Sequence, residues 1–94
     1  MQFQLDAKNL KHFFENEEER GINEPLLVRV ASGEPKVFEN EPRANRSGTH
    51  VVVGPDEMDR FWTIVVLHVS GDIWRPITGW PSTGSEIRRY EETE

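Results

Sequence analysis

The side chains of this sequence best suited to polar chemistry are arginines, histidines and tryptophans, most of them in its second half. Arg75 stands between Trp74 and Pro76, Arg88 and Arg89 precede Tyr90, His50 opens a run of valines, and Trp80 lies six residues beyond Trp74. A guanidinium holds phosphate through a rigid fork of donors and stabilises anionic charge as it develops. Imidazole is the group best able to accept or release a proton near neutral pH. Exposed indoles beside an arginine stack on unpaired bases or anchor a protein interface. The catalytic candidates are therefore His50, Arg75, Arg88 and Arg89. The substrate-binding candidates are Trp74, Trp80, Tyr90 and Arg46, the last because it shares with Arg43 and Ser47 the polar loop leading into His50.

Each candidate also has a purely structural reading. By strand alternation Arg75 shares a face with Ile73 and Ile77, where it needs a partner or a route to the edge. Arg88 and Arg89 complement the dipole of a C-terminal helix whose packing face is Ile87 and Tyr90, and Tyr90 reads as an anchor. His68 shares a face with Trp62, Ile64 and Val66 and reads as a packed or hydrogen-bonded structural histidine, while His12 sits on a solvated helix beside Lys11. Trp74 and Trp80, evenly spaced, should share a face, and Trp62 belongs to the core. No metal or cofactor is implied. The three histidines lack ligand spacing, and Asp56-Glu57-Met58-Asp59 lacks the length and glycine of a calcium loop. There is neither a phosphate-cradling glycine loop nor a nucleophile elbow.

The elements that must position these residues are readable from periodicity. Residues 61–69 are apolar on both alternating faces, as in a central strand, and Ser70-Gly71-Asp72 turns the chain into a second strand over 73–78. Thr83 and Glu86 form a capping box that starts the last helix. Upstream, Gln2–Leu5 suggests a short strand, and Asp6 caps a helix that runs to about Arg20 before the Gly21 stop. Asn23-Glu24-Pro25 favours a second helix over a strand for Leu26, Leu27, Val30 and Ala31. Short strands follow at 36–39 and from His50. The expected fold is α+β: two N-terminal helices, an antiparallel sheet of about four strands and a C-terminal helix, in one domain spanning 1–94.

Composition sets further bounds. With 94 residues and a net charge of −6, the chain is a poor general binder of nucleic acid, and its acidic remainder suits a basic protein partner. The absence of cysteine excludes disulfides and thiolate chemistry and agrees with a reducing compartment. No run approaches the length of a membrane span and no signal peptide is visible, so a cytoplasmic location and no membrane partner are expected.

Gly71-Asp72-Ile73-Trp74-Arg75-Pro76-Ile77, followed by Thr83, Glu86, Arg88, Arg89, Tyr90 and Glu91, resembles the C-terminal signature of BrnT-type toxins, small ribonucleases of bacterial toxin–antitoxin pairs related in fold to the RelE group. The Asp6-led helix and the Arg20-Gly21-Ile22 step fit more loosely. The resemblance implies a metal-independent endoribonuclease with an antitoxin partner and an RNA or ribosomal target. In such a mechanism an arginine steadies the scissile phosphate while a base such as His50 assists attack by the 2′-hydroxyl. Where the family carries a strongly basic stretch before the last helix, this chain has Gly79-Trp80-Pro81-Ser82, which leaves open an attenuated member, one with a different substrate, or a module that only binds. The competing expectation is a non-catalytic protein-interaction module of bacterial or phage origin, and a homodimer is compatible with either.

Overall fold

A computed structural model of the chain describes residues 1–4, 22–39 and 49–93. The helix expected over 7–20, with His12, and the polar loop with Arg43, Arg46 and Ser47 lie outside the described residues. Within them the architecture is α+β: a curled, mixed sheet of five strands with two helices. The strands are β1 (Gln2–Phe3), β2 (Lys36–Glu39), β3 (His50–Pro55), β4 (Phe61–Ser70) and β5 (Ile73–Pro81), and the helices are α1 (Glu24–Ser32) and α2 (Gly84–Glu92).

The sheet order is β1-β5-β4-β3-β2. Strands β2 to β5 form an antiparallel meander, as the turn chemistry requires. The expectation of about four antiparallel strands is corrected by β1, which pairs parallel to β5 with Gln2 opposite Ile73 and Phe3 opposite Trp74. Two residues suffice because backbone bonds from Gln2 N to the Asp72 carbonyl and from Gln4 N to the Trp74 carbonyl, at 3.0 and 2.7 Å, extend the pairing at both ends.

Residues 24–32 form a helix, and local chemistry explains why the β-formers Val28 and Val30 do not prevail. The Asn23 carboxamide accepts the Leu26 N–H at 3.0 Å and Pro25 occupies the first turn. Leu26, Leu27 and Val30 then fall on one stripe and bury against Phe3, Val52, Trp62, Ile64 and Val66. This core lies on one face of the sheet, the α1 face. On the opposite face α2 lies over Lys36 and Phe38 of β2 and Phe61 of β4. That double cover is why β4, apolar on both faces, is central and buries Trp62 through Val66.

Strand β5 departs from simple alternation. Val65 pairs with Thr78 and Val66 with Pro76, so Ile77 is an extra residue in a bulge. Pro76, which has no N–H for the ladder, is fully buried there rather than at a strand end. The strand also continues to Pro81, so Gly79, Trp80 and Pro81 are strand and not loop.

Candidate functional site

The bulge at Ile77 reverses the facing of everything upstream of it. Trp80 lies opposite Thr63 and shares the α2 face, whereas Trp74 lies opposite His68 on the α1 face. The two indoles expected on one face are therefore on opposite faces. Trp80 donates its N–H to the Glu86 carboxylate at 3.0 Å, and Glu86 also accepts the Thr83 N–H at 2.8 Å. Trp80 is thus tied to the capping box that starts α2.

The arginines do not converge. Arg75 pairs in register with Leu67, on the α2 face, and its Nε donates to the Gln4 carboxamide at 2.9 Å. The grouping of Arg75 with Ile77 is removed by the bulge. Arg89 stacks over the Phe38 ring at 4.2 Å, at the far edge of the sheet. Three strand spacings separate β5 from β2, roughly 14 Å. The Arg88 side chain is exposed on α2 and makes no hydrogen bond or ion pair among the described residues. Tyr90 is an anchor: its hydroxyl donates to the Glu34 carbonyl at 2.6 Å and its ring meets Phe61 edge-on at 5.0 Å. Burial of the hydroxyl, followed by repulsion from Glu34, raises the Tyr90 pKa above the ordinary 10.0.

His50 lies opposite Val66, on the α1 face, and so across the sheet from Arg75. Its neighbours are instead His68 and Trp74. The centroid of the His50 ring is 6.0 Å from that of His68 and 5.0 Å from that of Trp74, both edge-on, and His68 lies 4.3 Å from Trp74 at a 31° tilt. His68 is exposed, and His50 and Trp74 are half-buried. Two imidazoles and an indole thus meet near the β4–β5 turn, with Trp74 packed against the edge of the core.

Hydrogen bonds fix both rings. The hydroxyl of Thr49 accepts the His68 backbone N–H at 2.9 Å and lies 2.8 Å from His50 Nδ1, while His68 Nε2 lies 2.8 Å from the Gly71 carbonyl. Gly71 has φ +48, a left-handed conformation suited to glycine, which directs that carbonyl back toward the ring. Beside the cluster Asp72 pairs with the Met1 ammonium at 2.9 Å. That bond first, and the Trp74 N–H dipole after it, outweigh desolvation and hold the Asp72 carboxyl below its usual range. The Trp74 N–H is itself buried without a well-formed hydrogen bond.

Sequence reasoning read His68 as a packed or hydrogen-bonded histidine on the face of Trp62, Ile64 and Val66; it lies on that face and is hydrogen-bonded, but it is exposed and was not grouped with His50 and Trp74. The available signal was its position two residues before Ser70-Gly71-Asp72, where a central strand emerges from its cover. Among the described residues no group of three or more histidine or acidic side chains could hold a metal. No helix among them is long and apolar enough to cross a membrane. No family model matches the chain, and no curated protein matches it.

Proposed function

We propose that this chain is a BrnT-type, RelE-like protein that cleaves RNA as the toxin-like member of a toxin–antitoxin pair, with its polar site at His50, His68 and Trp74. The observation that carries this reading is the 6.0 Å juxtaposition of two imidazoles, the exposed His68 and the half-buried His50, beside an indole. Transesterification of RNA needs one group to take the 2′-hydroxyl proton and another to protonate the departing 5′-oxygen, and paired imidazoles supply both near neutral pH. The indole offers a plane for an unpaired base. The 2′-oxygen forms a bond to phosphorus as the bond to the 5′-oxygen breaks, leaving a 2′,3′-cyclic phosphate and a 5′-hydroxyl.

The test is incubation of purified protein with single-stranded RNA, alone and with ribosomes, together with growth on induced expression. Cyclic-phosphate ends that disappear in His68→Gln, and growth arrest relieved by a cognate partner, support the reading. Intact RNA and unchanged growth overturn it.

A second reading, a non-catalytic interaction module on the same fold, is favoured by the engagement of Arg75 with Gln4 and of Arg89 with Phe38 in an acidic chain. A partner recovered by pull-down whose removal changes neither growth nor RNA integrity selects this module.

A further inference from the structure

Resting on the RNA-cleaving reading, we infer that the two imidazoles have unequal roles set by their hydrogen bonds: His68 is the base, His50 the acid, and Thr49 the positioning residue that links them. The argument begins with the Gly71 carbonyl. A carbonyl only accepts, so the 2.8 Å contact places a proton on His68 Nε2 and leaves the lone pair of the neutral ring on Nδ1. No protein group among the described residues bonds to that nitrogen. His68 is therefore held in the tautomer that can take up a proton at Nδ1, much as metal-binding and catalytic histidines are oriented through their other nitrogen.

His50 is held from the opposite side of its ring. Its Nδ1 faces the Thr49 hydroxyl at 2.8 Å, so Nε2 is the nitrogen left to exchange protons with a ligand. The hydroxyl already accepts the backbone N–H of His68, which polarises its own O–H toward Nδ1 of a neutral His50. A hydroxyl also has a second lone pair, so by rotating it accepts from Nδ1–H when His50 is an imidazolium. Thr49 thus serves His50 in both charge states and holds the acid ring in place against the backbone of the base. Thr49 is itself fixed, its N–H donating to the Val66 carbonyl at 2.9 Å. Among the described residues, the charged groups near the pair are Glu39, opposite His50 on β2, and Asp72, which is paired with the Met1 ammonium. In the reaction the 2′-hydroxyl proton passes to His68 Nδ1, and the imidazolium form of His50 gives its Nε2 proton to the 5′-oxygen, leaving a neutral ring that keeps its proton on Nδ1 and donates it to Thr49.

The test reads the nitrogens directly, by long-range proton–nitrogen NMR of the full chain labelled at histidine, alongside cleavage of a single-stranded RNA. The expected result is neutral His68 protonated at Nε2, and a His50 Nδ1 signal displaced by Thr49→Val and restored by Thr49→Ser. Cleavage should fall roughly tenfold in Thr49→Val, the equivalent of one lost hydrogen bond to a charged group, and recover in Thr49→Ser. A His68 protonated at Nδ1, or a His50 signal indifferent to Thr49→Val, overturns the assignment. The two levels separate cleanly. Tautomers as assigned with intact RNA uphold the hydrogen-bond assignment and remove the RNA reading, whereas RNA cleaved equally by His68→Gln removes the role of His68 and keeps the activity.

Discussion

Lys36 lies 4.3 Å from the centre of the Tyr90 ring and donates a hydrogen bond to the Tyr90 carbonyl at 2.7 Å. It also donates to the Thr93 carbonyl, so one ammonium satisfies the exposed end of α2, complements its dipole and covers its anchoring aromatic. This matters because α2 has no fully buried residue and cannot be held by burial alone. We predict that Lys36→Met loosens α2 selectively, costing about 1–2 kcal/mol from a lost cation–π contact and lost charge-assisted bonds. Amide hydrogen exchange should then accelerate over 84–92 and remain slow in β4. Uniform acceleration through the sheet would contradict a local clamp.

Tyr90 provides a second, optical check. It is the only tyrosine in the chain, so its phenolate absorbance is unambiguous. Its folded pKa is raised by burial and by Glu34, and stability from this group is fully present below pH 10.0 and is lost as pH rises through the folded value. Spectrophotometric titration should show ionisation later than for free tyrosine, and Tyr90→Phe should flatten the alkaline fall in stability. The lost bond to the Glu34 carbonyl should cost about 1 kcal/mol at neutral pH.

At the acid end the corresponding group is Asp56, whose side chain is only 5% exposed. Desolvation pushes its pKa up, but bonds from the Trp62 indole at 3.0 Å and from the Arg60 and Met58 amides at 3.0 and 2.8 Å outweigh it and hold the carboxyl below 3.8. With a depressed folded pKa, its contribution is present above the unfolded value and lost as pH falls through the folded one. Denaturation midpoints should therefore drop below about pH 4, and that drop should shrink in Asp56→Asn. Asp56→Ala should cost roughly 2–3 kcal/mol at pH 7, since it strands a buried indole N–H and two turn amides.

These elements differ in how far they were legible beforehand. Local chemistry was readable: Asn23 with Pro25 fixed α1, Thr83 with Glu86 fixed the start of α2, and Ser70-Gly71-Asp72 fixed the β4–β5 turn, because each depends on neighbours in sequence. What depended on distant partners was not readable. The link from Arg75 to Gln4 spans most of the chain, and the parallel seat of β1 needs β5 to exist first. The bulge at Ile77 decided which residues could form a site, yet its only local trace was Pro76, a residue without an N–H inside a strand. His50 was singled out from sequence, but its true neighbours were hidden by that same bulge and by the reading of His68 as purely structural.

Gly79 gives a sharp test of the β5 register. A Cβ there would sit 2.9 Å from Ile64 Cδ1, 3.0 Å from Ile22 Cδ1 and 3.0 Å from the Thr63 carbonyl. Gly79→Ala should therefore destabilise the fold by about 1–3 kcal/mol through overpacking against a backbone that cannot yield. At Gly84, which starts α2, an added methyl group would meet nothing within 4 Å, so Gly84→Ala should be neutral or stabilise by up to about 1 kcal/mol. Urea denaturation of the two variants side by side reads the contrast, and equal midpoints would refute the close approach of β5 to Ile22.

The placement of the arginines yields the last prediction. Arg75 and His50 occupy opposite faces of the sheet, so a reaction at His50 and His68 cannot draw on the Arg75 guanidinium. Arg89 is spent on Phe38, a contact worth about 0.5–1 kcal/mol, and its replacement should register in stability. Accordingly His50→Gln and His68→Gln should each lower RNA cleavage by about 10²- to 10⁴-fold, the usual contribution of a positioned acid or base. Arg75→Gln and Arg89→Gln should retain most of the activity once corrected for folded fraction. Parallel single-turnover assays and thermal melts of the four variants separate the two effects. If the arginine variants lose cleavage while remaining folded and the histidine variants keep it, the reacting groups lie on the α2 face and the imidazole cluster is structural.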